Sequence, residues 1–502
     1  MNTRRSSTQA WRLSDLLSPH VSVPVERDRE ISGLCLDSRR AQPGEVFFAL
    51  AGHDHHGLTH ASEAVRRGVA AVVWEPLKGV SPPDLGEEVS YIEAPDLRQY
   101  LGQVAARFHG HPSRSMKVVG VTGTDGKTSV SQILAAALDS ESAPCGVLGT
   151  LGYGRWGELR DPGLTTPDPV TLQGRLAEMT AQGVRRVVME VSSHALAQSR
   201  VAGVDFDLAI LTNLGHDHLD YHATAAAYGE AKARLFEWPG LKTAVLNLDD
   251  PFGQMLVGRI EDHVQILGYG LRADPGGRDH LHASDLHFGP EGVRCRVHTP
   301  WGDGELETRL LGRFNVLNLL AALGAMLTLD VTLSDALERL SRSPVIPGRM
   351  ECFRGSRGPT LVVDYAHTPE ALAQALQAAR AHCAGRLWCV FGCGGNRDRG
   401  KRPLMARVAE RYADHVILTS DNPRREDPMA IIAEVSRGFA RADAVRIEAD
   451  RDAAIRHAFM QAGSRDMVLV AGKGHETGQT VGTEVRPFSD RQLALALTGG
   501  GA

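Results

Sequence analysis

The fold is decided by the stretch MKVVGVTGTDGKTSVSQILAAAL, residues 116–138. Its apolar beginning, up to Val121, is typical of a buried strand, and residues 129–138 have the composition of a helix. Between the two lies a glycine-rich turn that ends in a lysine and a threonine, Lys127 and Thr128. Because the backbone N–H groups of such a turn surround phosphate groups, the stretch predicts a strand, a phosphate loop and a helix that together bind ATP.

The turn itself supplies the candidate phosphate-binding residues. A strict phosphate-loop pattern has a glycine five positions before Gly126, where this chain has Val121, so the alternative is an ordinary glycine turn between a strand and a helix. The motifs farther along the chain favour the phosphate loop. We therefore predict that ATP is bound by Gly123, Thr124, Asp125, Gly126, Lys127 and Thr128.

Composition places the chain among ordinary globular proteins. Its 502 residues exceed what one hydrophobic core accommodates, which predicts about three domains. The formal net charge is −5, the pI is near 6.5 and no basic stripe is present, so a nucleic-acid partner is not expected. We expect small-molecule substrates and a monomer.

The cellular location of the protein is also predicted from sequence features. The first ten residues lead into no sustained apolar segment of the kind that a signal peptide has. No apolar run reaches the roughly 18 residues that a membrane-spanning helix needs, so membrane insertion is not expected. Seven cysteines without paired spacing argue against a disulfide framework or a thiolate zinc site. These features predict a cytoplasmic protein.

Strand and helix patterns divide the chain into three α/β domains. Polar residues 109–115 mark one boundary, and residues 343–349, with two prolines and a glycine, mark the other. We predict a small N-terminal α/β domain (1–112), a central domain with the phosphate loop and a mostly parallel sheet (113–346), and a C-terminal Rossmann-like domain (347–502). The predicted strands are 44–50, 70–74, 118–122, 186–191, 207–212, 243–247, 360–364, 386–391, 415–419 and 467–471, with helices at 58–67 and 315–329 and an antiparallel excursion over 286–309.

Two polar motifs follow central strands and are candidates for a metal site. Glu190 ends a predicted strand, where its carboxylate and the Thr128 hydroxyl suit Mg²⁺ beside a nucleotide; a surface glutamate is the alternative. Residues 212–222 then hold His216, His218 and His222. They are interpreted as a zinc site of three histidines, as one imidazole completing a magnesium site, or as a solvated polar loop.

The order of these motifs resembles that of a known family. Residues 120–128, 189–196, 212–222 and 228–236, followed by 364–369, 392–398, 421–428 and 472–476, are similar in order and spacing to the motifs of the Mur ligases. These are the ATP-dependent amide-forming enzymes of peptidoglycan synthesis, and the resemblance spans nearly the whole chain. It implies the three-domain Mur ligase architecture.

The resemblance also implies a catalytic centre. It assigns catalytic roles to Lys127, Glu190, His218 and Lys232, and metal binding to Thr128, Glu190, His218 and Lys232. Lys232 is expected to react with CO₂ and become a carbamate (N6-carboxylysine) that holds a second Mg²⁺. Without the resemblance, a lone helical lysine would be interpreted as a solvated surface charge.

Substrate contacts are implied in the same way. Further ATP contacts fall on Asn315, Asn318, Arg349, Asp364 and His367. The UDP-muramoyl-dipeptide is expected at Leu36, Ser38, His53, Asp54, His55, Thr165, Thr166, Ser192, Gln198 and Arg200. The incoming amino acid is expected at Arg397, Asp421, Asn422, Pro423, Arg424, Gly472 and Glu476.

Arg424 specifies the amino acid that the resemblance implies. A guanidinium pairs with a carboxylate through two hydrogen bonds, and meso-2,6-diaminopimelate differs from lysine by a carboxylate at its far end. The implied reaction therefore joins diaminopimelate to UDP-N-acetylmuramoyl-L-alanyl-D-glutamate. ATP first converts the glutamate carboxylate into an acyl phosphate, and an amine of diaminopimelate then attacks it.

Three alternatives remain at this stage: a lysine-adding sister ligase, a folylpolyglutamate-synthetase-like ligase, and a catalytically dead nucleotide-binding module. Arg424 argues against the first, and Ser38 argues against the second. Intact Lys127, Glu190 and Lys232 argue against the third. The chain departs from the family pattern at Asp125, where the family has asparagine, and at Leu164, where asparagine occurs.

Overall fold

The computed structural model describes residues 11–52, 55–83, 89–273, 279–355 and 358–499. The chain divides into two compact units. The first contains residues up to Gly120 together with Asp139–Leu208 and Glu230–Lys242, and the second contains Val121–Leu138, Ala209–Gly229 and the residues from Thr243 onward. The predicted domain limits at 112 and 346 do not coincide with this division and stay predictions.

Short elements form the N-terminal stretch. Its strands are β1 (Trp11–Arg12), β2 (Glu30–Ile31), β3 (Gly33–Cys35), β4 (Glu45–Ala49), β5 (Ala71–Trp74) and β6 (Ser90–Glu93), and its helices are α1 (Leu13–Leu17), α2 (Ala61–Arg66) and α3 (Leu97–Phe108). Strands β3 to β6 form a parallel sheet in that order. Neighbouring residues of β4 pack on opposite faces, Phe47 with Val72 and Phe48 with Val73, so the sheet has a core on both sides.

The middle of the chain alternates longer strands with helices. Its strands are β7 (Lys117–Thr122), β8 (Cys145–Gly149), β9 (Gly152–Arg155), β10 (Arg186–Glu190), β11 (Leu208–Leu211), β12 (Thr243–Asn247), β13 (Gln265–Gly270), β14 (His280–Gly289), β15 (Gly292–Thr299) and β16 (Gly302–Thr308). Its helices are α4 (Lys127–Leu138), α5 (Pro169–Ala181), α6 (Ser193–Ala197), α7 (Leu219–His222), α8 (Ala225–Ala233), α9 (Pro251–Val257), α10 (Arg313–Thr328) and α11 (Leu333–Ser341).

These strands are paired differently in the two units. In the first unit the order is β7-β10-β8-β9, with β8 parallel to β10 and antiparallel to β9. In the second unit β12, β13 and β14 are parallel neighbours, and β14, β15 and β16 form an antiparallel meander. The predicted antiparallel excursion is therefore present, but its first strand begins at His280 rather than at 286.

The C-terminal stretch carries a sheet of its own within the second unit. Its strands are β17 (Glu351–Phe353), β18 (Thr360–Asp364), β19 (Leu387–Phe391), β20 (His415–Leu418), β21 (Arg446–Ile447), β22 (Met467–Ala471), β23 (Gly478–Val481) and β24 (Glu484–Pro487). Its helices are α12 (Pro369–His382), α13 (Lys401–Tyr412), α14 (Pro428–Ser436), α15 (Arg451–Gln461) and α16 (Asp490–Thr498). The sheet order is β17-β18-β22-β19-β20-β21, with every pairing parallel except that of β17 and β18.

Two features bear on the sequence predictions. The polar stretch 109–115 is anchored rather than free, because Ser113 is buried and its hydroxyl donates to Asp205 at 2.7 Å. Within the described part of the chain, no helix combines the length and the apolar character needed to cross a membrane. The α/β class and the mostly parallel sheets are confirmed.

Candidate functional site

The glycine-rich turn is shaped by two glycines. Gly123 has φ of 149° and Gly126 has φ of 82°, values that L side chains rarely adopt. A Cβ on Gly126 would lie 2.7 Å from Asn318 Oδ1, and one on Gly123 would lie 1.8 Å from Thr212 Oγ1. The turn leads from β7 into α4, which begins at Lys127. The backbone therefore passes closely under neighbouring polar side chains, as a phosphate cradle requires.

The charged end of Lys127 folds back over this turn. Its Nζ donates to the carbonyl oxygens of Gly123 and Thr124, both at 2.9 Å. The ammonium is thereby held above the loop at the start of a helix, where the helix dipole also favours an anion. This placement suits a group that contacts the phosphates of a nucleotide.

The segment after β11 braces the loop. The Asp125 N–H donates to Asn213 Oδ1 at 3.0 Å, and the Thr212 hydroxyl donates to the Asp125 carbonyl at 2.6 Å. The Gly215 N–H donates to Thr124 Oγ1 at 2.8 Å. The motif 212–222, predicted from its density of polar residues, is thus in contact with the phosphate loop through Thr212, Asn213 and Gly215.

Within the described residues, Asp125 forms hydrogen bonds through its backbone but not through its carboxylate. Among the described residues, no hydrogen bond to the Asp125 side chain is formed, although its N–H and carbonyl are both paired with the 212–215 segment. Asp125 lines a cavity of about 430 Å³ next to the loop. The residue that departs from the family pattern therefore borders a space large enough for part of a nucleoside.

This cavity, here called the nucleoside cavity, lies in the second unit. It is lined by Asp125, Gly126, Thr212, Asn213, Asn247, Tyr269, Phe288, Arg313, Phe314, Leu317, Asn318, Gln374, Gln377, Ala378 and Ala381. Asn318 thus lies where the sequence predicted an ATP contact. Asn315 does not line the cavity; its Nδ2 donates to the Leu311 carbonyl at 2.8 Å, and its Oδ1 accepts from Asn318 Nδ2 at 2.9 Å. Asn315 therefore orients Asn318 in this structure.

Sequence reasoning missed the aromatic part of the lining. Tyr269, Phe288 and Phe314 come from β13, β14 and α10, and the partly exposed Phe288 and Phe314 offer ring surfaces of the kind that nucleobases contact. Phe314 stands directly before the predicted Asn315, so the motif around residue 315 contained a usable signal. For the other two no signal existed, because only the packed sheet brings them to the cavity.

Of the contacts predicted after the second boundary, Arg349 reaches Thr128. Arg349 Nη2 donates to Thr128 Oγ1 at 3.4 Å, and its guanidinium lies 4.5 Å from the Tyr365 ring centroid. Asp364 accepts hydrogen bonds from the N–H groups of Met350 at 2.7 Å and Ala366 at 2.8 Å. Burial nevertheless raises the pKa of Asp364 above its ordinary value.

His367 follows in the same loop. Its Nδ1 lies 2.8 Å from the Tyr365 carbonyl and donates to it, and burial lowers the pKa of the imidazole, with nearby Lys401 acting in the same direction. The side chain is therefore neutral near pH 7, with Nδ1–H fixed as a donor. A neutral imidazole is available as a hydrogen-bond partner rather than as a charge.

Glu190 is a buried and oriented carboxylate. It is 1% exposed, and Thr150 donates to it twice, from its N–H to Oε1 at 2.7 Å and from its hydroxyl to Oε2 at 3.1 Å. Gly149 makes the approach possible, because a Cβ there would lie 2.3 Å from Oε1. A solvated surface glutamate is thereby excluded.

His218 and Lys232 have different surroundings. His218 has φ of 54° and a half-exposed ring whose Nε2 lies 3.4 Å from Asp217 Oδ2. Lys232, near the end of α8, is 1% exposed, so its interpretation as a solvated surface charge is wrong. His222 is buried with its ring 5.3 Å from that of Tyr228, while His216 is exposed.

These positions bear on the choice of metal. Within the described ranges, no group of three or more His, Cys, Asp or Glu side chains is arranged to hold a metal ion. The three-histidine zinc hypothesis therefore has no support. The donors that remain, the Thr128 hydroxyl and the Glu190 carboxylate, are oxygen groups of the kind that Mg²⁺ prefers when phosphates complete its coordination. Thr128 and His218 belong to the second unit, and Glu190 and Lys232 to the first.

The first unit contains a second cavity, of about 410 Å³, here called the N-terminal cavity. Its lining residues are Leu36, Asp37, Phe48, Leu50, His55, His56, Gly57, His60, Arg98, Leu164, Asp168, Pro169, Gln198 and Arg200. Four predicted residues line it: Leu36, His55, Gln198 and Arg200. His53 and Asp54 lie outside the described residues. Arg98 and His60 were missed, since neither lies in a motif.

Other predicted residues of this group are not among the lining residues and form hydrogen bonds with neighbouring segments. Ser38 is buried, and its hydroxyl donates to Glu63 at 2.7 Å, so it orders a turn instead of lining the space. Thr166 donates to the Glu190 carbonyl at 2.8 Å and its carbonyl accepts from Arg200 at 3.1 Å. Thr165 Oγ1 lies 3.1 Å from Thr150 Oγ1, and Ser192 caps α6 by accepting from Ala195 N–H.

The predicted amino-acid residues form a hydrogen-bonded group in the C-terminal stretch. Asn422 Nδ2 and the fully buried Lys473 Nζ both donate to Glu476 Oε2 at 2.8 Å. Asp421 Oδ1 accepts from the Asn422 N–H at 2.6 Å, and Gly472 adopts φ of 119° beside Asp421. This group connects residues 421–422 to the segment that follows β22, whereas Pro423 approaches Gly395. Lys473 was not predicted, although it lies inside the matched motif 472–476.

Arg424 is fixed by its backbone and by one nitrogen of its side chain. Its φ is 50°, its N–H donates to the Thr480 carbonyl at 2.9 Å, and its Nη1 donates to the Gly395 carbonyl at 2.9 Å. Among the described residues, its Nε and Nη2 form no protein hydrogen bond. Arg397 is exposed close to this loop. A guanidinium that is held through one nitrogen retains N–H donors for a carboxylate.

Arg402 supports the same loop and was missed by sequence reasoning. It is completely buried and pairs with Glu426 at 2.9 Å and Glu434 at 2.7 Å. Its hydrogen bonds lower the pKa of Glu426 to about 2. The 421–428 loop is thus connected to α13 and α14 by the charged cluster of Arg402, Glu426 and Glu434. No sequence motif predicted this cluster.

Comparison with known proteins agrees with this geometry. Three family models match in succession: the Mur ligase family catalytic domain over residues 30–109, the Mur ligase middle domain over 121–326, and the Mur ligase glutamate ligase domain over 348–474.

Individual relatives match over nearly the entire chain. A UDP-N-acetylmuramoyl-L-alanyl-D-glutamate–2,6-diaminopimelate ligase from Alkalilimnicola ehrlichii is 50% identical, covering 97% of this chain and 99% of that protein. The protein of the same name from Pseudomonas aeruginosa is 48% identical, covering 94% and 95%. A solved structure of a ligase of that name superimposes with a TM-score of 0.71 at 36% identity, covering 98% and 99%. Similarity of this extent, together with the three family models that match in succession, means that the chain belongs to the Mur ligase family.

Proposed function

We propose that the chain is an ATP-dependent ligase that joins meso-2,6-diaminopimelate to UDP-N-acetylmuramoyl-L-alanyl-D-glutamate in peptidoglycan precursor synthesis. The observation that carries the proposal is the 50% identity over 97% of the chain to a relative of that name. The phosphate loop, the two cavities and the free donors of Arg424 support it. No feature of the described part of this chain favours a sister ligase.

Each proposed substrate corresponds to a described feature. The nucleoside of ATP would occupy the nucleoside cavity, with its phosphates on the loop under Lys127. The N-terminal cavity would hold part of the UDP-muramoyl-dipeptide, where Arg98 and Arg200 supply positive charge for an acidic ligand. The loop that carries Arg424 would bind diaminopimelate, with Glu476 suited to an ammonium group and Arg424 to a carboxylate.

The reaction would proceed in two steps. The D-glutamate side-chain carboxylate attacks the γ-phosphorus of ATP in line, an O–P bond forms, and ADP leaves. An amine of diaminopimelate then attacks the acyl carbon, loses a proton and expels phosphate, which leaves an amide. The loop N–H groups and Lys127 offset negative charge in the first step, and exclusion of water protects the acyl phosphate in the second.

Magnesium is part of the proposal. When bound, Mg²⁺ would neutralise phosphate charge, and Thr128, Glu190 and His218 are the residues proposed to hold it. Thr128 is buried at the start of α4, and its Oγ1 accepts from Arg349, so the hydroxyl is already oriented beside the loop.

The monomeric state and the cytoplasmic location are further parts of the proposal.

Lys232 is proposed to carry a carbamate. The lysine ammonium first loses one proton; the uncharged amine then attacks CO₂, a C–N bond forms and a second proton is released, so the side chain changes overall from a cation to an anion. Burial to 1% exposure supports a role of this kind, because an ordinary solvated surface lysine is not buried. A carbamate oxygen would then be a hard ligand for a second Mg²⁺.

Labelled bicarbonate tests the carbamate. With ¹³C-bicarbonate, we expect the protein to show a carbamate carbon resonance that disappears in Lys232→Ala, and we expect this variant to lose about 10- to 100-fold in activity, the usual cost of removing support from a metal site. Lys242→Ala is the control, because Lys242 is exposed and pairs with Asp207. An active protein without the resonance would show that Lys232 stays an amine.

A phosphate-release assay tests the function. We expect release of phosphate from ATP only when UDP-N-acetylmuramoyl-L-alanyl-D-glutamate and meso-diaminopimelate are both present, with an amide product detected by mass spectrometry. L-Lysine, L-ornithine and D-alanyl-D-alanine serve as competing amines. Turnover with L-lysine that equals turnover with diaminopimelate would instead support the lysine-adding alternative.

A further inference from the structure

His382 joins three separate segments of the second unit. It is the last residue of α12 and is buried. Its Nδ1 lies 2.6 Å from the carbonyl oxygen of Gly289, at the end of β14, and its Nε2 lies 3.0 Å from the N–H of Gly312, just before α10. The end of one helix is thus tied to a strand end and to the start of another helix.

The two bonds define one form of the imidazole. The Gly312 N–H can only donate, so Nε2 must accept, and the Gly289 carbonyl can only accept, so Nδ1 must carry the proton. A protonated ring has no acceptor and would lose the bond to Gly312. Burial lowers the pKa of His382, as does the nearby positive charge of Arg354, so the neutral form is favoured.

Close packing accompanies these bonds. Gly312 has φ of 91°, and a Cβ at this position would lie 2.6 Å from the Cβ of Ala378, one turn before His382 on α12. Phe288 lies edge-on to the His382 ring, with centroids 5.6 Å apart. Ala378 and Phe288 both line the nucleoside cavity, whereas His382 does not. His382 therefore acts on the cavity only through its neighbours.

We propose that His382 is a positioning residue that holds α12 and Phe288 in place as walls of the nucleoside cavity. The inference rests on the proposed binding of ATP in that cavity. It follows from the place of the residue: one side chain satisfies a carbonyl and an N–H on the two segments that carry Phe288 and Phe314, while its own helix supplies Gln374, Gln377, Ala378 and Ala381. Loss of either bond loosens these walls relative to one another.

The charged groups around His382 determine how the contact depends on pH. Arg354 pairs with Glu291 at 3.2 Å beside the β14–β15 turn, Arg380 on the same helix pairs with Asp414, and Arg313 follows Gly312. The pKa of the neighbouring Cys383 is raised by burial, so its thiol stays neutral. Because burial lowers the pKa of His382 below the ordinary histidine value of about 6.5, its contact is intact at neutral pH and is lost only as pH falls through that lowered pKa.

The test compares His382→Gln with His382→Ala in the full-length protein. A glutamine can accept from Gly312 with Oε1 and donate to Gly289 with Nε2, whereas alanine can do neither. Dissociation constants for ADP and a non-hydrolysable ATP analogue are measured by calorimetry from pH 5.5 to 8, with thermal unfolding as a check. We expect His382→Ala to bind about tenfold more weakly at pH 7.5 and to raise KM for ATP more than it lowers kcat. We expect His382→Gln to bind like the unsubstituted protein.

The pH series separates positioning from mere stability. Nucleotide affinity of the unsubstituted protein should fall more steeply below about pH 6.5 than that of His382→Gln, which has no group that titrates there. His263→Gln, at an exposed histidine, is the matched control and should keep the original profile.

Each outcome has one meaning. Equal affinity of His382→Ala and the unsubstituted protein, or an unchanged pH profile in His382→Gln, overturns the inference. If His382→Ala does not fold, the His382→Gln profile alone decides. Failure of the unsubstituted protein to bind nucleotide would overturn the proposed function instead.

Discussion

Replacing Arg424 with alanine is expected to lower kcat/KM for meso-diaminopimelate about 10⁴-fold, because a site built around a polar group rejects ligands that no longer match it by such factors. The structure gives the reason. The Arg424 backbone is fixed at φ of 50° by the bond to Thr480, and Nη1 is taken by Gly395. Nε and Nη2 form no hydrogen bond with the described residues, and we propose that they form two parallel bonds with the far carboxylate of diaminopimelate.

The expected signature is a loss of discrimination, not a general loss of activity. Unsubstituted protein should strongly prefer diaminopimelate to L-lysine, and Arg424→Ala should treat the two alike while binding ADP as before. Arg424→Lys should recover only part of the preference, because an ammonium lacks the planar fork. Arg425→Ala is the matched control, since Arg425 is the exposed neighbour. Persistent preference for diaminopimelate in Arg424→Ala would show that another residue reads the carboxylate.

Apolar runs bounded by polar residues predicted the strands well. The strands at Thr243–Asn247, Thr360–Asp364 and Met467–Ala471 begin and end where the sequence predicted. Such strands are buried on both faces, so burial and hydrophobicity change together at their ends. The phosphate loop was predictable for a similar reason, because the glycines that its geometry requires are visible in the sequence.

Helix beginnings were less predictable. Helix α4 starts at Lys127, two residues before the predicted start, because the turn ends at Gly126. The predicted helix 58–67 is instead a 3-10 turn, Gly57–His60, followed by α2. The His56 side chain caps that turn by accepting from the Leu58 N–H, an interaction that residue periodicity does not reveal.

Residues that act through tertiary contacts were not predicted from the sequence. The buried charge cluster of Arg402 and the ring of Phe288 reach the site only after distant segments pack together. Lys232 shows the opposite case. Local pattern predicted a surface lysine, whereas resemblance to a family singled it out, and the structure places it in the interior. Chemistry-bearing motifs were therefore visible in the sequence, but the residues that position them were not.

Replacing Lys127 with methionine is expected to lower kcat about 10³-fold while weakening ADP binding far less, since groups that offset charge developing in a transition state have effects of this size. Lys127 Nζ lies 2.9 Å from two loop carbonyls, so the ammonium is positioned before any nucleotide arrives. Methionine preserves the length and apolar contacts of the side chain but removes the charge. Most of the charge that needs offsetting develops on the transferring phosphoryl group, which ADP lacks.

Lys117→Met provides the control for this change. Lys117 lies ten residues earlier on β7, is half-exposed and pairs with Asp207 at 3.2 Å, so its loss should leave kcat within twofold, as surface ion pairs contribute little. Rapid-quench measurement of acyl phosphate formation locates the defect in the first chemical step. If Lys127→Met forms the acyl phosphate at the original rate, the lysine serves only to shape the loop, and the charge must be offset by Arg349 and the bound metal alone.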